Sequence, residues 1–146
     1  LNTLCYRCEV RPGPEFLVRS YTFMKNHTFK LLQFHYGEES CAFPLYTLTA
    51  RGRYRLRGRS WVTPGATEAD YTLTRVTVMA HSPEVAEELA ARVNTTCPGQ
   101  VRRRWKHNRD YVVLSLPEEV VPNNNHPPIV SSSYQRRNAA SSSALG

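Results

Sequence analysis

No stretch of this chain approaches the roughly 18 consecutive apolar residues that a membrane-spanning helix requires. The first four residues, Leu1, Asn2, Thr3 and Leu4, do not form a secretory leader, so the leader of an exported form lies outside these 146 residues. The five histidines, at 27, 35, 81, 107 and 126, form no H-x-x-x-H cluster. Cys5 and Cys8 stand two residues apart, but a zinc site needs a second ligand pair, and Cys41 and Cys97 are isolated. A redox reading of Cys5 and Cys8 also fails, because Pro12 and Pro14 follow where a helix would depress the thiol pKa. There is no nucleophile elbow and no glycine-rich phosphate loop, and the pairs Glu38-Glu39 and Glu87-Glu88 suit turn and helix surfaces. The expectation is a protein that is not an enzyme and holds no metal or cofactor. RNP, KH and zinc-finger patterns are missing too, so nucleic acid is not an expected partner. No internal repeat is visible.

Acidic residues are fewer than basic ones, 12 against 19, giving a formal charge of +7. That balance favours an anionic partner such as a membrane headgroup or a sulfated glycan; the alternative is a basic surface that only confers solubility. Four cysteines allow three two-disulfide pairings. The sequons Asn26-His27-Thr28 and Asn94-Thr95-Thr96 fall at an expected hairpin tip and helix end. Cysteines and sequons together point to an oxidising, extracellular compartment.

Residues 16–18 and 20–23 form a β-favouring run, residues 25–27 a polar turn, and residues 29–36 a returning strand. Residues 37–40 make a second turn. Residues 45–56 suit a long strand ended by Gly58 and by Pro64-Gly65, and Tyr71, Leu73 and residues 76–78 mark another. The period then changes: Val85, Ala86, Leu89, Ala90 and Val93 recur at helical spacing behind Ser82 and Pro83, which suit the N-cap and first helical position. Glu84, Glu87 and Glu88 suit the early turns, Arg92 the last one, and Pro98-Gly99 the stop. Residues 110–116 predict one more strand. The Pro-, Asn- and Ser-rich residues 117–146 predict a disordered tail.

Two surfaces stand out. On a strand, Arg51, Arg53, Arg55, Arg57 and Arg59 share one face, a row of planar donor forks suited to phosphate or sulfate, or simply a solvated outer face. Tyr54 and Leu56 then face the other way with Gly52 and Gly58. A second basic run, Arg102, Arg103, Arg104, Lys106 and Arg109, surrounds Trp105.

The segments CEVRPGPEF, RSYTF, N-x-T-F, Q-F-x-Y-G, C-x-x-P-x-Y-T-L, GATEADY and VAEELAARVNTTCPG resemble, in order, the adenomatosis polyposis coli down-regulated 1 family. They span about residues 8–99 and are most similar to the first of that family's two related repeats. The resemblance implies a membrane-anchored extracellular glycoprotein, without enzymatic activity, that inhibits Wnt signalling at Wnt proteins and their co-receptor. It implies a β-barrel-like repeat whose apolar interior can hold a lipid, such as the acyl chain that Wnt proteins carry. The expected fold class is therefore mainly β: a partial antiparallel β-barrel-like domain over residues 1–99 with one short helix. A basic stretch with a possible strand follows over 100–116, then the tail over 117–146.

The resemblance also implies a Cys8–Cys41 disulfide across the hairpin and glycans on Asn26 and Asn94. Cys97 matches a cysteine whose partner lies further downstream, and Cys5 has no counterpart, which leaves a Cys5–Cys97 bridge as a guess. Phe34, Tyr36, Tyr46, Leu48, Tyr54, Leu56, Tyr71 and Leu73 are the expected lining of the apolar interior. Beyond Gly99 the resemblance is expected to fade, with the remaining strands, the second repeat, the leader and the anchor lying outside this sequence. A barrel without those strands exposes edges and apolar interior. Three readings follow: an extracellular Wnt- or lipid-binding antagonist, a heparan-sulfate module using residues 51–59 and 102–109, or a nonfunctional truncated fragment.

Overall fold

In this computed structural model the described residues are 2–4 and 7–116, with side chains from residue 7 onward. The tail expected over 117–146, and Cys5 with its guessed bridge, lie outside them. The strands are β1 (Asn2–Leu4), β2 (Glu9–Arg11), β3 (Glu15–Phe23), β4 (Thr28–Tyr36), β5 (Pro44–Arg59), β6 (Thr67–Ala80) and β7 (Asp110–Ser115). One helix, α1 (Pro83–Thr96), connects β6 to the segment leading into β7. All strand pairs are antiparallel, and the sheet runs β1-β3-β4-β5-β6-β7. β2 pairs with the other end of β3, so β1 and β2 together form one interrupted edge. The architecture is thus mainly β, a single open sheet that does not close into a barrel. At three residues each, β1 and β2 are too short to leave a periodic signal, and the sequence reading missed both.

β3 and β4 form because aromatic, β-branched and aliphatic residues alternate across a tight turn. Met24 and Thr28 close that turn through a 2.9 Å hydrogen bond, and His27 takes a left-handed φ of 62°. β5 runs past Gly58 instead of ending there. That glycine, at φ 130°, sits in an irregularity where Leu56 faces Ala69 and Gly58 faces Glu68, leaving Arg57 without a register partner. A glycine that looks like a strand breaker is here the residue that lets a strand absorb an extra position.

A second irregularity falls beside Gly52, where the register on β6 skips Thr74. A Cβ at position 52 would stand 2.1 Å from the carbonyl oxygen of Thr72 and 2.8 Å from a ring carbon of Phe29. Phe29, 4% exposed, therefore lies over a strand position that only glycine can occupy.

Helix α1 starts as the sequence predicts. The Ser82 hydroxyl accepts from the Val85 amide at 3.3 Å, with Pro83 at the first helical position. It runs on to Thr96, so Arg92 stands a turn before the end, where it pairs with Glu88, and the last turn holds no basic residue. Ala86 is fully buried against the sheet, and the helix packs on β6. The buried apolar set (Leu17, Phe29, Ala50, Ala66, Val78, Ala80 and Ala86) is short and mostly small, as a single sheet with one helix at one end dictates.

An apolar sheet face and a cationic row as the candidate functional site

Register decides which side chains meet. One face of the sheet carries Leu17, Arg19, Tyr21 and Phe23 on β3, and His35, Gln33, Leu31 and Phe29 on β4. Tyr46, Leu48, Ala50, Gly52, Tyr54 and Leu56 continue it on β5. Ala80, Val78, Val76, Leu73, Tyr71 and Ala69 complete it on β6. Six of the expected lining residues, Tyr46, Leu48, Tyr54, Leu56, Tyr71 and Leu73, thus share this face. Phe34 and Tyr36 do not. They pair with Val18 and Phe16 on the opposite face, because they are an odd number of positions from Phe29 and Leu31 on an unbroken strand.

The shared face has two ends of different chemistry. Near β2 and α1 it is polar: Glu9 and Arg19 face each other at 3.8 Å, and His35 stacks on Tyr46 with ring centroids 4.3 Å apart. The Gln33 amide nitrogen donates to His35 Nε2 at 2.8 Å, which places the imidazole proton on Nδ1. Arg19 Nε is buried with no hydrogen-bond partner, a donor left over on this face. Burial pushes the Tyr46 phenol up, with the Glu15 carboxylate adding to the effect, and α1 begins just after Ala80, the residue opposite Tyr46 on β6. Toward the β5–β6 hairpin the face becomes aromatic and aliphatic. Phe23 meets Tyr54 edge-on at 5.2 Å and Phe29 meets Tyr71 edge-on at 6.0 Å. Cover thins out in this direction: Tyr71 is 45% exposed and Leu56 59%.

Burial holds the His35 imidazole below its ordinary 6.5, with Glu15 opposing and Arg19 adding to the effect. A histidine whose folded pKa lies below its unfolded one disfavours folding once protonated. Stability is therefore expected to fall as pH drops through 6.5 toward the folded value and to level off below it. Melting followed between about pH 7.5 and about pH 5.5 should show a larger loss for the natural chain than for His35→Gln. Parallel curves for the two proteins would remove His35 as the source.

The opposite face divides as well. At one end it carries Phe16, Val18, Phe34 and Tyr36. At the other, three cations meet in register across three neighbouring strands: Lys30 faces Arg51, and Arg51 faces Arg75. None of the three makes an ion pair among the described residues. They line an open cleft of about 390 Å³ together with Thr49, Thr77 and Asp110. Like charges directly opposite one another on a sheet are unfavourable unless an anion lies between them. Sequence reading found Arg51 but not Lys30 or Arg75, since cross-strand register alone brings them together.

Of the expected arginine row, Arg51, Arg53 and Arg55 share this face, and Arg57 reaches it through an ion pair with Asp70. Arg59 does not. The irregularity between Leu56 and Gly58 shifts the alternation by one, so Arg59 pairs with Thr67 on the other side. In the second basic run, Arg104 is held by Glu87 of α1, and Trp105 stacks on Tyr111 at 4.5 Å.

Cys8 and Cys41 are disulfide-bonded, with Cα atoms 5.9 Å apart. The bond joins the start of β2 to the β4–β5 loop, and Cys97 is free and exposed. In that loop the Glu38 carboxylate accepts from the amides of Ala42 and Phe43 at 2.8 and 3.0 Å, and these bonds hold its pKa down. The two sequons differ in geometry. Thr28 donates both its amide (3.2 Å) and its hydroxyl (2.6 Å) to Asn26 Oδ1 at an exposed hairpin tip. Asn94 sits inside the last helical turn, accepting from the Gly99 amide at 3.3 Å, while the Thr96 hydroxyl donates back to the Arg92 carbonyl.

Ordered motifs, a Cys8–Cys41 bond and an open antiparallel sheet with an apolar face converge with one comparison. The family model described as adenomatosis polyposis coli down-regulated 1 matches residues 3–141. This chain belongs to that family. The match runs well past Gly99, where the resemblance was expected to fade, so β7 and the basic stretch before it are family sequence too. Within this member of the adenomatosis polyposis coli down-regulated 1 family, no three His, Cys, Asp or Glu side chains among the described residues come together as a metal site.

Proposed function

We propose that this chain acts outside the cell as a non-enzymatic negative regulator of Wnt signalling, holding a Wnt protein or its acyl chain on the apolar sheet face. The observation that carries the reading is the sharing of one face by Leu48, Tyr54, Leu56, Tyr71 and Leu73, with Leu56 and Tyr71 exposed. An acyl chain laid on such a face removes apolar area from water without needing any directional contact. Family membership is consistent with this pathway. The co-receptor is a second expected partner, and a glycan on Asn26, whose sequon forms its own hydrogen-bonded turn, would keep the β3–β4 tip in solvent.

The test is capture of an acylated Wnt protein, and of its unacylated mutant, by this chain secreted from cultured cells. Capture of the acylated form, with roughly tenfold or greater loss in Leu48→Asp, is the expected result. Equal capture of both forms, or undiminished capture by a folded Leu48→Asp protein, would overturn the acyl-binding reading.

The row Lys30–Arg51–Arg75 supports a second activity, attachment to a sulfated glycan such as heparan sulfate. Three cations with no ion pair among the described residues, flanked by the hydroxyls of Thr49 and Thr77 and outnumbering the single carboxylate of the cleft, Asp110, suit a sulfate, and Arg53 and Arg55 extend the track along β5. No exposed aromatic stands in the cleft for a base to stack on, which disfavours a nucleic acid. Retention on heparin should fall steeply with salt, and Arg75→Ala should elute at clearly lower salt than the natural chain. Identical elution of the two would place any attachment elsewhere.

A further inference from the structure

β5 and β6 extend beyond the rest of the sheet. β4 accompanies β5 only as far as Arg53, and the pairing of β6 with β7 stops at Arg75. Residues 54–59 and 67–73 therefore form a two-stranded ribbon with no third strand among the described residues. Six residues at strand rise carry its end roughly 20 Å past its neighbours.

The loop that closes the ribbon is organised from within. The Ser60 amide donates to the Ala66 carbonyl at 2.8 Å, and the Ala66 amide to the Thr63 carbonyl at 3.2 Å. The Ser60 hydroxyl accepts from the amides of Val62 and Thr63 at 3.3 and 3.2 Å. Gly65 turns the chain at a left-handed φ of 79°, and Ala66 tucks in at 3% exposure. With these groups satisfied internally and the one buried position taken by alanine, Trp61 and Val62 are turned outward, 90% and 69% exposed. Behind them stand four exposed arginines, Arg53, Arg55, Arg57 and Arg59, against two carboxylates, Glu68 and Asp70, and Asp70 is engaged by Arg57.

An indole and an isopropyl group at a convex tip, followed by a cationic shaft, match the layering of an anionic bilayer surface. Indole favours the boundary between headgroup and hydrocarbon, and guanidinium forks bind phosphate. A protein partner would need a pocket of matching shape, whereas a bilayer accepts such a tip anywhere. We propose that the β5–β6 hairpin is a membrane-docking loop, in which Trp61 and Val62 enter the interfacial layer of an anionic phospholipid bilayer while Arg55 and Arg59 contact headgroup phosphates.

The full chain carries two tryptophans, and Trp105 is stacked on Tyr111, so Trp105→Phe leaves Trp61 as the single reporter. That protein is mixed with vesicles of phosphatidylcholine, with and without phosphatidylserine, and its emission is followed. The expected result is a blue shift, with quenching by brominated acyl chains, on the phosphatidylserine vesicles. Trp61→Ala with Val62→Ala, read by sedimentation with the same vesicles, should bind at least about tenfold more weakly. Arg55→Ser with Arg59→Ser should abolish the preference for anionic lipid. These side chains are exposed, so the circular dichroism of each variant is expected to match that of the natural chain. Vesicle binding without an emission shift, binding that survives loss of Trp61 and Val62, or no sedimentation with either vesicle would each overturn the proposal. Capture by heparin with no vesicle binding would assign the arginines to a sulfated polymer and would overturn it as well.

Discussion

Phe29→Ala is expected to lower the stability of the fold by about 3–5 kcal/mol, the usual effect of deleting a buried aromatic side chain. Phe29 is 4% exposed and packs between Phe23, at 6.3 Å, and Tyr71, at 6.0 Å. Its ring also covers Gly52, so truncation uncovers backbone as well as leaving a cavity. An alanine at position 52 cannot refill the gap. Its Cβ would still stand 2.1 Å from the Thr72 carbonyl oxygen, which belongs to the neighbouring strand and cannot rotate away. Gly52→Ala should therefore destabilise by itself and fail to rescue Phe29→Ala. Denaturant unfolding of the two single variants and the double variant makes the comparison. A double variant more stable than Phe29→Ala alone would show that β6 yields at Thr72 and that this account of the ribbon junction is wrong.

Paired Cys8→Ser and Cys41→Ser substitutions are expected to lower stability by about 3–4 kcal/mol in the chain-entropy picture, because they free a loop of 33 residues' separation. The consequence is local as well. β2 has three residues, and the disulfide fastens the segment just before it to the β4–β5 loop. Without the bond, Glu9 would lose its position opposite Arg19. Hydrogen exchange should then show early opening at β2 and the adjoining half of β3, with β5 and β6 still protected. Uniform exposure of all strands at once would mean that the sheet opens as one unit, with β2 contributing no separate edge. The β4–β5 loop retains its Glu38 hydrogen bonds in either case, so its shape is expected to survive the substitution.

Both effects concern the same weakness of the architecture. One sheet with a helix over one end buries few large side chains, and toward the β5–β6 hairpin its apolar face stays exposed at Tyr71 and Leu56. A face of this kind favours whatever partner removes it from water. The acyl-binding reading and the membrane-docking hairpin draw on adjoining regions of the chain for different purposes. The first uses the face behind Leu48 and Leu73, the second the tip beyond Leu56. Leu48→Asp and Trp61→Ala should accordingly act on separate measurements.

Much was legible in the order of residues. The long strands, the β3–β4 turn at Asn26, the Ser82–Pro83 helix start and β7 all follow from local chemistry. Alternation, turn residues and capping residues act within a few positions of one another, so the chain carries their signal without knowledge of the fold. Family membership was legible too, through ordered motifs.

Face and neighbourhood were not. Phe34 and Tyr36 look as suited to a lining as Tyr46 and Leu48, yet parity sends them to the other side. Arg59 continues a perfect alternation in sequence, yet one extra residue at position 57 reverses its face. Lys30, Arg51 and Arg75 are far apart in the chain and become a row only when β4, β5 and β6 align. Side-chain direction along a strand repeats every two residues, so a single irregularity inverts everything beyond it, and the partner across the ladder depends on register that no local pattern encodes. The sequence by itself determined the longer strands, the helix and the family they belong to. The tertiary structure alone decided which side chains share a surface, because that depends on strand register and on two irregularities in the β5–β6 pair.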